Sequence, residues 1–326
     1  MKALLEIKDL NITYINKKRS VYAVRDANFE IFEGDSLGLV GESGSGKSTL
    51  ATALLRLHSK HSTQITGEAN FLNRNLITLP EKDLKNIRWS ELSVVFQKSM
   101  NSFSPVHRIG EQIEDIYRVH NPKATKKEIK ERTAYLLSLV NLSDRVYKLY
   151  PHELSGGMIQ RVSIAVSLLH NPKLLILDEA TTALDVVTQG QILDEILKME
   201  QEMDMTRIMI THDMSVVASS CNKVAIMYAG EIVEFGFVKD IIPNPKHPYT
   251  KGLLSSFPSL KGEKKELKGI PGFLPDLSIK HEGCIFASRC DSVMEICKKV
   301  SPNRTELDDD QYVRCHLYGG DKDGKQ

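Results

Sequence analysis

The spacing of apolar and polar positions changes character along this 326-residue chain. Residues 3–32 alternate with the two-residue period of β-strands, in two runs separated by the hydrophilic segment INKKRS, which predicts a hairpin. Further on, short apolar runs alternate with helical stretches, which is typical of an α/β domain with a buried, mainly parallel sheet. The apolar runs predict strands at 36–40, 67–71, 92–97, 173–179, 207–212, 223–228 and 231–235.

Helical periodicity predicts helices at 50–57, after the glycine pair at 156–157, and at 189–203. A further helix, Lys126–Leu139, separates its charged residues from Ile129 and Leu136, and it lies in a helical insertion. The final strands join at a turn, Ala229-Gly230, and form an antiparallel edge of the sheet. We therefore divide the chain into an α/β core (1–97 and 159–242), a helical subdomain (98–158) and a C-terminal domain (243–326).

Composition narrows the class of protein. The chain has 43 Lys and Arg against 42 Asp and Glu, so bulk electrostatics does not favour a nucleic-acid partner. No apolar run is long enough for a membrane span or a signal peptide, so we expect a cytosolic protein. The proline-rich start of the C-terminal domain is followed by a charged segment, 261–268, that we expect to be exposed.

The segment Gly41–Thr49, GESGSGKST, fits the pattern G-x-x-x-x-G-K-[ST] between a predicted strand and a predicted helix. Glycines let backbone N–H groups surround an anion, and the helix N-terminus adds partial positive charge. Lys47 can reach β- and γ-phosphates, and the Ser48 hydroxyl can bind Mg²⁺. The alternative is a glycine-rich turn with a surface lysine. The candidate nucleotide-binding residues here are Gly41, Ser43, Gly44, Ser45, Gly46, Lys47, Ser48 and Thr49.

Polar residues follow three of the predicted strands, at the sheet edge where α/β proteins bind ligands. Asp178 and Glu179 end one strand; Asp178 suits the Mg²⁺ shell, and Glu179 suits orienting or deprotonating water. Gln97 and His212 end two others, and His212 could donate to a γ-phosphate. The alternatives are an acidic N-cap for the two acids and a structural role for the histidine.

Other residues extend the candidate nucleotide site. Ser155, Gly156 and Gly157 stand before a helix and could form a second anion cradle or an ordinary N-cap. Either Tyr14 or Tyr22, at strand ends, could stack on a base, or each could be a core aromatic.

Four of the five cysteines, Cys284, Cys290, Cys297 and Cys315, lie in the C-terminal domain. Disulfides are uncommon in the cytosol, so this clustering indicates a site. Four thiolates suit either zinc or an iron–sulfur cluster, although spacings of five and six residues are wider than those of most zinc ribbons. Reduced buried cysteines, or disulfides in a hyperthermophile, are the other possibilities.

The motifs GESGSGKST, Gln97, LSGGM, LLILDE and His212 occur in an order that resembles the ATP-binding subunit of ABC transporters over residues 3–240. The tail, with HPYTKGLL and GCIFASRC, resembles the oligopeptide/dipeptide importer branch. One residue departs from the pattern, because Met158 stands where the signature motif usually has Gln.

The resemblance assigns a role to each motif. It implies that Tyr14 stacks on adenine, with Tyr22 second, that Gln97 touches Mg²⁺ or water, and that His212 is the switch histidine. Asp178 and Glu179 become the Walker B acids. Ser155, Gly156 and Gly157 become part of the signature motif, which contacts the γ-phosphate held by a partner subunit, and Asp185 becomes part of the D-loop.

The resemblance also implies cofactors and partners. ATP and Mg²⁺ bind the core, and the four tail cysteines hold a 4Fe–4S cluster, with zinc as the rival. The partners are a second ABC ATPase subunit, two integral membrane permease subunits and, indirectly, an extracellular solute-binding protein. The chain would then lie on the inner face of the membrane as a peripheral protein.

Three other functions remain open from the sequence. The same importer class includes nickel and glutathione carriers. A soluble ABC ATPase acting on nucleic acid or ribosomes is the rival from another class. A third possibility treats the tail as an iron–sulfur electron carrier.

Overall fold

A computed structural model describes residues 2–16, 19–97, 102–180, 185–256, 269–308 and 310–319. The strands are β1 (Leu5–Asn16), β2 (Arg19–Ile31), β3 (Ser36–Val40), β4 (Thr63–Phe71), β5 (Arg74–Asn75), β6 (Leu92–Val95), β7 (Leu174–Asp178), β8 (Thr206–Thr211), β9 (Lys223–Tyr228), β10 (Glu231–Phe237), β11 (Arg304–Asp308) and β12 (Gln311–Arg314). The helices are α1 (Lys47–Leu54), α2 (Glu81–Ile87), α3 (Ile109–His120), α4 (Lys126–Leu139), α5 (Gly156–Ser167), α6 (Val186–Met203), α7 (Met214–Ser220), α8 (Val238–Ile241) and α9 (Pro248–Ser255).

The chain divides into two compact units, and the division falls within β8. The first unit combines residues 1–78 with 210–326, and the second covers residues 79–209.

The first unit contains an antiparallel sheet in the order β2-β1-β4-β5. Leu5, Ile7, Leu10 and Ile12 of β1 are buried, as the two-residue period requires when one face of a strand packs on a core. The pairing shifts register between Ile7 and Leu10, so a bulge interrupts the alternation there. The predicted hairpin is therefore present, with strands longer than the sequence pattern indicated.

A second sheet of the first unit runs in the order β11-β12-β10-β9-β3. Strands β3 and β9 are parallel, whereas β9, β10, β12 and β11 pair antiparallel. Every residue of β3 and β9 is buried, which explains why apolar residues predominate in both strands. The C-terminal hairpin β11–β12 extends this sheet and was not predicted from the sequence.

The core of the first unit includes the start of the C-terminal domain. Tyr228 of β9 and Tyr249 of α9 have ring centroids 4.7 Å apart, and both pack on Phe286, at 5.0 and 5.5 Å. All three side chains are buried. Burial of aromatic side chains contributes strongly to stability, so the C-terminal segment is part of this core rather than an appendage.

In the second unit, β7 lies between β6 and β8, and β6 and β7 are parallel. Helices α3, α4 and α5 pack together beside these strands. The Arg132 guanidinium joins α4 to the end of α5, because it donates to the carbonyl oxygens of Leu168 (2.8 Å) and Leu169 (3.2 Å). This unit contains most of the predicted helical insertion.

Several predicted boundaries differ from the observed ones. Helix α1 begins at Lys47 rather than at residue 50, and α6 begins at Val186 rather than at residue 189. Strand β6 ends at Val95, so Gln97 lies two residues beyond it. Three predicted features lie outside the described residues. They are the start of the helical subdomain at residue 98, residues 182–184 before Asp185, and the charged segment 261–268.

None of the helices in the described part of the chain combines the length and the apolar composition that a membrane span requires.

Candidate functional site

The loop between β3 and α1 carries the predicted phosphate-binding residues. Gly44 and Gly46 have φ of 83° and 104°, a region that L-residues with side chains rarely adopt. A Cβ on Gly46 would lie 2.2 Å from the Ala23 carbonyl oxygen, and one on Gly41 would lie 2.0 Å from that of Met227. The loop therefore needs glycine at position 46 for both conformation and space, at position 44 for conformation, and at position 41 for space.

Lys47 is the first residue of α1 and is only 4% exposed. Its ammonium group donates to the carbonyl oxygens of Gly41 (2.6 Å) and Glu42 (2.9 Å), with Ser45 Oγ at 3.4 Å. Ser43, Gly44 and Ser48 are exposed around it. The positive charge, the helix N-terminus and the exposed amides together can bind a polyphosphate.

Tyr14 lies beside the first turn of α1. Its hydroxyl is 3.1 Å from Thr49 Oγ1 and 3.4 Å from His58 Nδ1, and its ring meets the His58 ring edge-on at 5.4 Å. Tyr22 instead lies under the Arg25 guanidinium, 5.2 Å from its ring centroid. The structure thus brings Tyr14, and not Tyr22, into hydrogen-bond contact with a residue of the phosphate loop.

In the second unit, Gln97 Nε2 donates to Glu179 Oε2 at 2.5 Å. Asp178, the residue before Glu179, ends β7 and is 4% exposed. Glu179 has φ of 49°, which turns the chain sharply at the end of the strand. These two carboxylates and one amide form a polar group at the carboxyl end of a buried strand.

The predicted second anion cradle lies at the start of α5. Ser155 caps this helix, accepting from the Met158 N–H at 3.3 Å, so Gly156 and Gly157 form its first turn. A Cβ on Gly157 would lie 3.2 Å from Thr188 Cγ2. Thr188 donates to both oxygens of Asp185, the N-cap of α6, and this hydrogen bonding lowers the Asp185 pKa.

A buried ion pair joins the helices that carry Ser155 and Asp185. Arg161 of α5 donates to the Glu195 carboxylate of α6 at 3.1 Å, and Asn141 donates to the same carboxylate at 2.8 Å. Arg161 also donates to Gln191 at 3.0 Å. Sequence analysis missed this group, because its members are far apart along the chain and belong to no motif.

His212 follows β8 directly and is exposed. The next residue, Asp213, caps α7 by accepting from the Ser215 N–H at 2.8 Å. His212 and the phosphate loop belong to the first unit, whereas Gln97, Ser155, Asp178, Glu179 and Asp185 belong to the second.

The tail cysteines lie in the first unit as free thiols, as does Cys221. The Cys284 N–H donates to the Cys297 carbonyl oxygen at 2.7 Å. Burial raises the pKa of Cys284 to about 12, and the neighbouring thiols of Cys297 and Cys315 add to this rise. Burial likewise raises the pKa of Cys290 and Cys315, again with contributions from neighbouring cysteines.

Comparison with known proteins adds a second kind of observation. Residues 24–182 match the family "ABC transporter", and residues 233–297 match "Oligopeptide/dipeptide transporter, C-terminal region". The oligopeptide transport ATP-binding protein OppD of Salmonella typhimurium is 44% identical over 301 residues, which cover 92% of this chain and 89% of the relative. The chain belongs to the ATP-binding subunits of ABC transporters.

Other relatives of this ABC subunit support the same family assignment. The dipeptide transport ATP-binding protein DppD of Bacillus subtilis is 39% identical over 97% of this chain and 95% of the relative. A bacterial ABC transporter cassette solved as a dimer is 29% identical, with a TM-score of 0.65, covering 72% of this chain and 99% of that one. A post-hydrolysis dimer bound to ADP and phosphate gives a TM-score of 0.64 at 28% identity.

These similarities confirm the ABC cassette fold and the ATPase class that the motifs predicted. In this ABC subunit, the C-terminal match includes the HPY sequence at 247–249 and three of the four tail cysteines. Within the described residues, no group of three or more His, Cys, Asp or Glu side chains is arranged to hold one metal ion.

Proposed function

We propose that this chain binds and hydrolyses ATP to power the import of dipeptides and oligopeptides through an ABC transporter. The observation that carries the proposal is the presence of both family matches in one chain, at 24–182 and 233–297. Relatives that align with nearly all of this chain are oligopeptide and dipeptide transport ATP-binding proteins, which supports a peptide cargo.

In this proposal the first unit binds the nucleotide. Tyr14 stacks on adenine, and Lys47 with the amides at the start of α1 binds the phosphates. Loop residues Gly41, Ser43, Gly44, Ser45, Gly46 and Thr49 complete the contact surface. The rigid glycine turns support this assignment, because they hold the amides in place before the anion arrives.

Magnesium would be held by Ser48, Gln97 and Asp178. Their hydroxyl, amide and carboxylate oxygens are of the kind that this ion prefers. The Ser48 side chain is exposed on the first turn of α1, and Asp178 is buried at the end of β7. A buried carboxylate is stabilised by a cation or by hydrogen-bond donors. When bound, the ion neutralises charge on the β- and γ-phosphates.

Hydrolysis requires a water aligned with the γ-phosphate. Glu179 is the proposed base, and its carboxylate is oriented by the hydrogen bond from Gln97. His212 would donate to the γ-phosphate and stabilise the charge that develops there.

A second ABC ATPase subunit completes each site. Ser155, Gly156 and Gly157 would cap a γ-phosphate bound by that partner, with Asp185 alongside. The contact of Gly157 with Thr188, which Asp185 holds, supports a single surface for these residues. Nucleotide binding then closes the pair, and hydrolysis reopens it.

The transporter partners are two integral membrane permease subunits, with an extracellular solute-binding protein acting through them. The chain would then be a peripheral protein on the cytoplasmic face of the membrane.

We also propose that Cys284, Cys290, Cys297 and Cys315 hold a 4Fe–4S cluster with a structural role. The electrostatic influence of these thiols on one another supports a shared centre. The four thiolates would supply the sulfur ligands of the cluster, which would tie together the loops that carry them. Zinc remains the rival ion.

Reconstitution tests the transport function. The chain is purified with its co-expressed permease and ATPase partners, inserted into vesicles, and supplied with solute-binding protein, ATP and a labelled peptide. We expect ATP-dependent peptide uptake, which the Glu179→Gln variant abolishes. Uptake of nickel or glutathione in place of peptide would refute the cargo, and ATP hydrolysis stimulated by nucleic acid without a membrane partner would refute the importer.

A further inference from the structure

Glu42, in the phosphate loop, is contacted by two residues of the C-terminal region. Its backbone N–H donates to the Tyr249 hydroxyl at 3.0 Å, and its carboxylate accepts from Arg289 Nη1 at 3.0 Å. The Glu42 carbonyl oxygen accepts from Lys47 at 2.9 Å. One loop residue therefore connects the phosphate-binding lysine with two side chains more than two hundred positions away.

Arg289 is held rigidly. Its side chain is 5% exposed, and it donates to the carbonyl oxygens of Pro271 (2.8 Å) and Ile270 (3.1 Å) and to the Tyr228 hydroxyl (3.3 Å). These three bonds involve the three different nitrogens of the guanidinium group. They therefore fix the orientation in which the group donates to Glu42.

Tyr249 is also fixed in place. The Glu234 carboxylate, which is fully buried, accepts from the backbone N–H groups of Lys246 (2.8 Å) and His247 (3.0 Å). His247 Nδ1 then accepts from the Tyr249 N–H at 3.0 Å and caps α9. The HPY sequence thus anchors the tyrosine that holds the loop.

The charge of Glu42 has a consequence for this loop. A carboxylate within a loop that binds a triphosphate repels the ligand unless a cation neutralises it. Since the Arg289 guanidinium is bonded to that carboxylate, its positive charge offsets the repulsion. The geometry also fixes the loop at its second residue before the ligand binds.

We propose that Arg289 and Tyr249 are positioning residues for nucleotide binding, and that the C-terminal region clamps the phosphate loop through Glu42. Arg289 neutralises the Glu42 carboxylate, and Tyr249 fixes the Glu42 backbone. This inference rests on the phosphate loop being the ATP site of the proposed function.

Variants that neutralise Arg289 or Glu42 test the clamp in the full complex. We expect Arg289→Gln to raise the dissociation constant for MgATP about tenfold at low salt, with kcat nearly unchanged. Glu42→Gln alone should bind like the wild type, and Glu42→Gln combined with Arg289→Gln should restore affinity to within about twofold. The loss in Arg289→Gln should shrink as salt rises, because salt screens the exposed part of the repulsion.

Controls separate positioning from general damage. Arg304→Gln removes an arginine of the same tail that is 39% exposed and paired with Glu306, and it should leave MgATP affinity unchanged. Arg289→Lys, which keeps the charge, should lose less affinity than Arg289→Gln. Tyr249→Phe gives an independent reading and should weaken MgATP binding about threefold through loss of the Glu42 contact.

The outcomes distinguish this inference from the proposed function. A wild-type complex that binds no MgATP would overturn both. Wild-type binding together with unchanged binding by Arg289→Gln, or a double variant no better than Arg289→Gln alone, would overturn the clamp and leave the ATPase assignment intact. If Arg289→Gln does not fold, unchanged affinity in both Arg289→Lys and Tyr249→Phe would overturn it.

Discussion

The side-chain amide of Gln97 donates a hydrogen bond of 2.5 Å to the carboxylate of Glu179. The bond joins the residue two positions after β6 to the residue that follows β7. Because Gln97 Nε2 donates to this carboxylate, the hydrogen bond restricts how the Glu179 side chain can rotate. The orientation of the proposed base therefore depends on a glutamine from a neighbouring strand.

Replacing Glu179 by Gln should lower phosphate release by about 10²–10⁴-fold, the usual contribution of a general base. The affinity for MgATP should stay within about twofold of the wild type, because the change removes no phosphate contact. Steady-state phosphate release and equilibrium nucleotide binding measure the two effects. Glu202→Gln, on α6, is the matched control, and turnover equal to the wild type in Glu179→Gln would exclude the base role.

Tyr14→Ala should weaken ATP binding by about 5- to 150-fold, because base stacking on an aromatic ring contributes about 1–3 kcal/mol. It should also reduce the discrimination between ATP and inorganic triphosphate. Tyr22→Ala should leave both unchanged, since Tyr22 is paired with Arg25. Competition with a fluorescent nucleotide measures these affinities. A larger loss of ATP affinity in Tyr22→Ala than in Tyr14→Ala would show that Tyr22 makes the adenine contact.

Ser155→Ala should prevent ATP-dependent pairing of subunits while leaving nucleotide affinity of each subunit unchanged. The measurement is light scattering with MgATP in the Glu179→Gln background, with the native ATPase partner present. Ser143→Ala is the control, because Ser143 also caps a helical turn, accepting from the Arg145 N–H at 3.3 Å. Equal pairing by the Ser155 and Ser143 variants would show that the signature motif does not contact the partner's nucleotide.

Cys290→Ser should remove most iron and acid-labile sulfide from anaerobically purified protein, together with its visible absorbance. Cys221→Ser should retain both, because Cys221 lies at the end of α7 and outside the tail. Metal analysis measures the contents. Stoichiometric zinc without sulfide in the wild type would establish the rival ion, and equal metal in wild type and Cys290→Ser would refute the four-thiolate site.

Acid should destabilise the protein through His247. Burial, with a smaller effect of the Lys251 charge, lowers the His247 pKa from 6.5 to about 3 in the folded state. The unfolded chain therefore takes up a proton as pH falls below 6.5, and the folded state does not. At pH 5 this difference costs about 2 kcal/mol.

The variant His247→Asn isolates this effect, because asparagine can still cap α9 but does not titrate. Thermal unfolding at pH 7 and pH 5 should show a larger fall in Tm for the wild type than for the variant. The nearby Glu234 carboxylate is common to both proteins, so its titration does not distinguish them. Parallel losses of Tm would show that His247 is protonated in the folded state.

Strong local patterns predicted much of the secondary structure. The bounds of α4 and β9 agree with the sequence pattern. One face of α4 and every residue of β9 are buried, and burial of this kind leaves a clear local pattern of apolar residues. The phosphate loop was also predictable, since its function requires glycines, a lysine and a serine at set positions between a strand and a helix. The short helices α2 and α7 were missed because seven residues carry little periodic signal.

The sequence by itself determined the ATP-binding class of the chain and the alternation of strands and helices, and it supplied the candidate residues of the nucleotide site. Only the tertiary structure decided which distant residues support them. His58 reaches Tyr14 across 44 positions and Arg289 reaches Glu42 across 247, and no sequence motif pairs these residues. Periodicity reports which face of a segment is buried, whereas these contacts depend on how separate segments pack, and no local pattern encodes that packing.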